Sequence, residues 1–304
     1  MSYKNLIYFQ KRAVAYYVIA LFCWEGVIKM ESAKVIAICN QKGGVGKTAT
    51  SVCLGVTLAN QGKKVLLVDF DPQGNLTKGF GYRDKTAYPY SIKDVLLNEV
   101  FKKKIDWHNY ILNTSENVDI IPSNIDLSKI DLQLASAMSR ENLLKRFLVE
   151  PKKNYDYIII DGNPSLNLFT INTLTAAGSV IIPVQAEPYA TDGLVDLLYS
   201  INQIREELNP NLEIDGIVLT MTDARTNLSK HIVSEIRDLY GDSINVFKTI
   251  IPRSVKAAES VLAEQSPIKY APQSEASKAY ANLTKEVLER NGEGITKARP
   301  KLIK

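Results

Sequence analysis

From Lys34 onward, short runs apolar at nearly every position alternate with longer stretches whose apolar residues recur every three or four positions. The short runs are Lys34–Asn40, Lys64–Asp69 (KVLLVD), Asp119–Pro122, Tyr157–Asp161 (YIIID), Ser179–Val184, Asp215–Thr220 and Val246–Ile250. Their length and all-round apolarity predict strands buried on both faces. The longer stretches predict helices. The first is Lys47–Gln61, closed by Gly62, and the second runs from a Ser91 cap to about Val100. Leu127–Leu148, Asn167–Ala177, Thr191–Leu208, Asn227–Tyr240, Val255–Ala263 and Ser274–Arg290 follow. This alternation implies an α/β fold: a single doubly wound, mostly parallel sheet covered by helices on both faces. With no internal repeat and no long linker, one domain over residues 30–290 is the expectation.

Composition changes the picture mainly at the ends. The 304-residue chain is 45% hydrophobic with a formal charge of +4. Residues 1–29 carry Lys4, Lys11, Arg12 and Lys29 against Glu25, which leaves 33 basic and 32 acidic residues beyond them. The body is therefore nearly neutral, and any nucleic-acid affinity has to come from a local patch. Ala13–Trp24 is apolar but shorter than the roughly 20 residues a membrane helix needs, and no small-x-small cleavage pattern follows. Codons for Trp24-Glu25-Gly26 can spell a purine-rich ribosome-binding sequence just before Met30. The expectation is translation from Met30, with residues 1–29 a non-native leader; a disordered or partner-binding extension and a membrane-associating segment are the alternatives. Residues 291–304 read as a basic, loosely ordered tail. Cys23, Cys39 and Cys53 form no C-x-x-C pair, which fits a reducing cytoplasm and argues against a disulfide framework or a zinc cluster.

The chemistry starts at Lys42-Gly43-Gly44-Val45-Gly46-Lys47-Thr48, between a predicted strand and a predicted helix. The usual Gly-x-x-x-x-Gly-Lys-Thr phosphate loop would place its first glycine at Gln41, so this is the deviant Walker A form. Glycines let the backbone wrap closely round phosphate, and loop amides and the helix N-terminus supply positive field. Lys47 is placed to reach the β- and γ-phosphates of ATP, and the Thr48 hydroxyl to hold Mg²⁺. Ala49 offers only its backbone N–H. Asp69-Phe70-Asp71-Pro72-Gln73-Gly74 ends the second strand, and acids two apart on a strand share a face. Tyr157–Asp161 ends in an acid as a Walker B strand does, which puts Asp161 on the water shell of Mg²⁺.

Together these segments resemble the ParA partition ATPases over nearly all of Met30–Arg290. Further matching segments are Pro183-Val184-Gln185-Ala186-Glu187, Leu219-Thr220-Met221-Thr222-Asp223 and Ile251-Pro252-Arg253-Ser254-Val255-Lys256. The resemblance implies that Lys42 crosses a homodimer interface to the partner's ATP and neutralises charge on its γ-phosphoryl group. It also implies that Asp71 positions the attacking water, that Asp69 supports Mg²⁺ through water, and that Thr220 and Pro252 lie on the adenine side. Arg253 and Lys256 fall where relatives build a DNA surface, with a solvated helix start as the bland alternative. No helix-turn-helix precedes the loop. The resemblance thus implies non-specific, ATP-dependent DNA binding, stimulation by a ParB-type centromere-binding protein, and a cytoplasmic, nucleoid-associated place without stable membrane insertion. Two departures stand out: Ala49 replaces a usual threonine, and Asn163 a usual proline. They keep a non-hydrolysing nucleotide switch open as an alternative, beside a MinD-like membrane or protein-cargo ATPase.

Overall fold

In the computed structural model, which describes residues 32–292 apart from Ile105, Tyr189 and the side chain of Asp192, the apolar runs become eight strands in one sheet. They are β1 (Lys34–Ile38), β2 (Val65–Phe70), β3 (Leu112–Asn113), β4 (Asp119–Ile121), β5 (Tyr157–Gly162), β6 (Ser179–Gln185), β7 (Glu213–Thr222) and β8 (Val246–Pro252). Their spatial order is β3-β4-β2-β5-β1-β6-β7-β8. Every pairing is parallel except β3 with β4. The short antiparallel β3 was not legible as a strand. The expected leader and most of the expected tail lie outside the described residues.

Each strand feeds two cores, because side chains alternate across a pleated sheet. Leu66, Val68 and Phe70 of β2 join Ile158 and Ile160 of β5 on one face. That face is covered by helices α3 (Ile92–Val100), α5 (Leu143–Phe147), α6 (Leu168–Ala176), α7 (Asp192–Glu207) and α8 (Asn227–Tyr240). Val65 and Leu67 join Tyr157 and Ile159 on the other, under α1 (Lys47–Asn60) and α11 (Glu275–Arg290). A Cβ on Gly55 of α1 would stand 2.5 Å from Leu67 Cδ2, so a larger residue there would require the Leu67 side chain to shift. The parity decides the chemistry: Asp69 and Asp161 continue the Val65-Leu67 and Tyr157-Ile159 series, so both face α1.

The expected helix over Leu127–Leu148 is wrong. The segment is a 3-10 stretch at Ile125–Ile130, a short α4 (Asp131–Ala135), a left-handed Ser139 (φ 52) and then α5. Leu127, Ile130 and Leu134 are buried, but the next buried residues are Leu143 and Leu144. The intervening eight positions, 135–142, bury no residue, and a helix without a packed face is not held. Ser91 does cap α3, in a capping box closed by Asp94. The free edge of β8 is blocked: the Glu286 carboxylate of α11 accepts from Lys248 N and Thr249 N, each at 2.8 Å. Covering edge amides in this way removes a template for pairing with another chain.

Candidate nucleotide-hydrolysis site

The phosphate loop spans from the end of β1 to the start of α1. Gly44 (φ 77) and Gly46 (φ 87) are left-handed, a conformation L side chains rarely adopt. Nothing lies within 4 Å of a Cβ built on Gly43 or Gly44, so the loop is open on its outer side. Inside, Thr220 Oγ1 of β7 donates to Val45 O at 2.8 Å, and Met221 reaches to 3.7 Å of a Cβ built on Gly46. Thr220 is thereby placed beneath the loop, where it holds the loop's shape. Met221 is itself left-handed (φ 52), a constraint invisible in the sequence. Asn40 ties the loop's entry, donating to Pro183 O at 2.6 Å and accepting from Lys42 N at 2.9 Å.

Lys47 is buried, and its Nζ bridges the loop to Lys42 O at 2.9 Å. Burial pulls its pKa below the ordinary lysine value, opposed first by the charge of Asp161. Burial also pushes the Cys39 thiol up to about 12, which leaves it an inert neighbour. Asp161 is 1% exposed, and its Oδ1 accepts from Ser51 Oγ at 3.0 Å. Thr48 also hydrogen-bonds this carboxylate, while Oδ2 has no partner. Burial first, then Asp69, raise the Asp161 pKa to about 7 against those hydrogen bonds.

Asp69 and Asp161 are Cα partners across β2 and β5. Asp69 Oδ2 accepts from Thr77 N at 2.8 Å and Thr77 Oγ1 at 2.6 Å, and Oδ1 from Asp71 N at 3.3 Å. Burial raises its pKa to about 6, opposed by those bonds. Asp71 lies one residue past the end of β2, in the turn entering α2 (Asn75–Gly79), and its Oδ1 accepts from Gln73 N at 2.9 Å. Asn163 folds back on its own turn, accepting from Ser165 N and Oγ.

Lys42, by contrast, is 45% exposed, with Nζ 3.6 Å from Glu187 Oε2. Glu187 also meets Arg253, at 3.6 Å, and Gln185. Lys256 stands apart at the start of α9 (Val255–Leu262), 2.8 Å from Glu259. Pro252 lines a separate cavity of about 550 Å³ with Thr222 and Ile250. The structure therefore brings Lys42 through Ala49, Asp69, Asp71, Asp161 and Thr220 to one end of the sheet. Ser51, Thr77, Ser123 and Glu187 were missed. For Ser51 a signal existed, since it lies one helical turn after Lys47 and shares its face.

A buried, unpartnered acid oxygen beside a buried lysine, a threonine and an open left-handed glycine loop fits a phosphate-bound cation. Relatives agree. A family model described as an AAA domain matches residues 33–214. The sporulation initiation inhibitor protein Soj of Bacillus subtilis is 48% identical over 255 residues, covering 84% of this chain and 98% of that protein. The chromosome partitioning protein ParA of Caulobacter vibrioides is 39% identical, covering 87% and 97%.

This chain belongs to the ParA/Soj family of partitioning ATPases.

The ParA/Soj fold extends to a crystal structure called cobyrinic acid a,c-diamide synthase, from Mycobacterium smegmatis, with bound ADP and magnesium. It superposes with a TM-score of 0.75 at 33% identity, covering 90% of this chain and 100% of that one. As in other ParA/Soj chains, the site is that of a P-loop nucleotide hydrolase. Among the described residues, no helix is long and apolar enough to cross a membrane.

Proposed function

We propose that this chain is an ATP-gated DNA switch. It binds ATP and Mg²⁺ at the deviant phosphate loop, closes into a homodimer around the nucleotides, and binds DNA without sequence preference in that state. Hydrolysis, slow alone and stimulated by a ParB-type centromere-binding protein, releases the DNA. Repeated cycles on the nucleoid move plasmid or chromosome cargo through the cytoplasm.

The observation that carries the reading is the placing of Asp161, whose buried Oδ2 has no partner among the described residues, at the same end of the sheet as Lys47, Thr48 and the open glycine loop. Mg²⁺, when bound with ATP, neutralises charge on the β- and γ-phosphates. Lys47 and the loop amides hold the phosphates, Thr48 and Asp161 hold the cation and its water shell, and Asp69 supports that shell from beside Asp161. Ala49 contributes its backbone amide. Asp71 orients the attacking water. Lys42, whose exposed side chain is held among the described residues by an ion pair at 3.6 Å, is free to exchange Glu187 for a partner's γ-phosphate, as a cation supplied in trans does. The base lies on the side of Thr220 and Pro252. Arg253 and Lys256 meet DNA phosphates, each first leaving an exposed acid partner. Such contacts are salt-sensitive, because binding releases counterions.

The test is DNA retention by the full chain with ATP, with ADP and without nucleotide, with Asp71→Ala in parallel. Retention with ATP alone, lost at high salt and prolonged in Asp71→Ala, is the expected result. Retention that ignores nucleotide, or none in any state, overturns the reading.

A further inference from the structure

Asp71 does not hold its own position. It lies beyond the end of β2, and four hydrogen bonds around it close a ring through two residues with no role so far. Asp71 N donates to Asp69 Oδ1 at 3.3 Å. Asp69 Oδ2 accepts from Thr77 Oγ1 at 2.6 Å. That hydroxyl in turn accepts from Ser123 N at 2.9 Å. Ser123 Oγ then donates to Asp71 O at 2.8 Å, which closes the circuit.

The ring joins three parts of the chain: the end of β2, the first turn of α2 and the segment after β4. Thr77 and Ser123 are each 1% exposed and Asp69 is fully buried, so water does not compete for these bonds. Thr77 Oγ1 is donor and acceptor at once, and Ser123 Oγ donates. The turn is also packed without slack, because a Cβ on Gly74 (φ 60) would stand 2.6 Å from Ser123 O. Both neighbours of the Asp71 carboxylate along the backbone are thereby fixed, its N–H by Asp69 and its C=O by Ser123.

We infer that Thr77 and Ser123 are positioning residues for hydrolysis: they fix the Asp71 backbone so that its carboxylate meets the attacking water. This rests on the proposed role of Asp71. Neither residue lies in the phosphate loop. A ring that served only to hold the chain together would change stability and leave the ratio of binding to turnover alone.

The test uses the full chain and three variants: Thr77→Val, which keeps the shape and removes the hydroxyl; Thr77→Ser, which restores it; and Ser123→Ala. Ser123→Ala is the milder change, since Asp71 O keeps its bond from Gly74 N at 2.9 Å. Three quantities are read: single-turnover ATP hydrolysis, affinity for a fluorescent ATP analogue, and hydrogen exchange of the Asp71, Gln73 and Gly74 amides without nucleotide. Displacing a reacting group by a fraction of an ångström to an ångström lowers turnover by about 10- to 100-fold, so a loss of that size is expected in Thr77→Val and Ser123→Ala. Affinity should hold within about twofold, Thr77→Ser should recover most of the rate, and exchange should quicken by about tenfold in Thr77→Val. Turnover at the unmodified rate, or affinity falling in step with turnover, overturns the inference. So does unchanged exchange. If the unmodified chain hydrolyses no ATP, the proposed function fails, and the exchange measurement still judges the ring.

Discussion

Asp69 and Asp161 stand side by side on β2 and β5, equally buried, yet their surroundings are opposite. Both oxygens of Asp69 are taken, by Thr77 N, Thr77 Oγ1 and Asp71 N. Asp161 has one oxygen held by Ser51 and, among the described residues, the other without a partner. A buried acceptor left unpaired costs about 1–3 kcal/mol, and more when it is charged. Asp69 thus organises the turn that carries Asp71, while Asp161 holds an unpaired oxygen, which the proposed function gives to Mg²⁺, at the expense of the ligand-free fold. Two identical side chains on one face of one sheet divide the work of structure and chemistry by their second neighbours alone.

The sharpest way to break this comparison is to remove each acid in turn. Asp161→Ala should lower Mg²⁺-dependent ATP hydrolysis by about 100-fold or more. It should leave the unfolding temperature of the ligand-free chain unchanged or raised, because a buried acid with an unpaired oxygen has gone. A marked fall in that temperature would mean that Asp161 is a structural acid after all. Asp69→Asn should do the reverse, destabilising the fold by about 1–3 kcal/mol in denaturant titration as three donors lose a charged acceptor. A stable Asp69→Asn protein with lost Mg²⁺ dependence would transfer the ligand role to Asp69.

A gentler probe is pH. Asp69 and Asp161 titrate near 6 and 7 in the folded chain, against an ordinary value of 3.8. The folded state therefore holds protons that the unfolded state has released. This contribution to stability is full below about pH 3.8 and is lost as the pH rises toward 7. Adjacent like charges titrate as a pair, so the slope belongs to both. Mg²⁺ with nucleotide should flatten its upper part, because a nearby cation favours the carboxylate. Unfolding temperatures measured from pH 4 to 8, with and without Mg²⁺–ATP, check this.

The smallest effect expected is at Ser51. Ser51→Ala removes the hydroxyl bonded to Asp161 Oδ1 and should raise the Mg²⁺ concentration for half-maximal nucleotide binding by about three- to tenfold, with Ser51→Thr restoring it. No change in the Mg²⁺ requirement would show that Thr48 orients the carboxylate unaided.

The phosphate loop and the strands that end in Asp69 and Asp161 were legible because their signals are local. Gly44 and Gly46 mark left-handed backbone, and unbroken apolar runs mark strands buried on both faces. Leu127–Leu148 was misread because its spacing looks helical at each end, and only the packed structure shows that nothing inward joins them. Thr77 and Ser123 carried no signal, since each is an ordinary polar residue until α2 and the end of β4 are brought together.

The sequence by itself determined the class of fold, the phosphate loop and the pair of strand-end acids, since all three follow from side-chain periodicity and the backbone freedom of glycine. Only the tertiary structure decided which acid keeps a free oxygen, that Asp71 lies beyond its strand, and that Lys42 rests against Glu187. Those outcomes depend on hydrogen-bond partners tens of residues away, such as Ser51 for Asp161 and Ser123 for Asp71. Hydrogen bonds act over about 3 Å, and no pattern along the chain reports which distant groups folding brings that close.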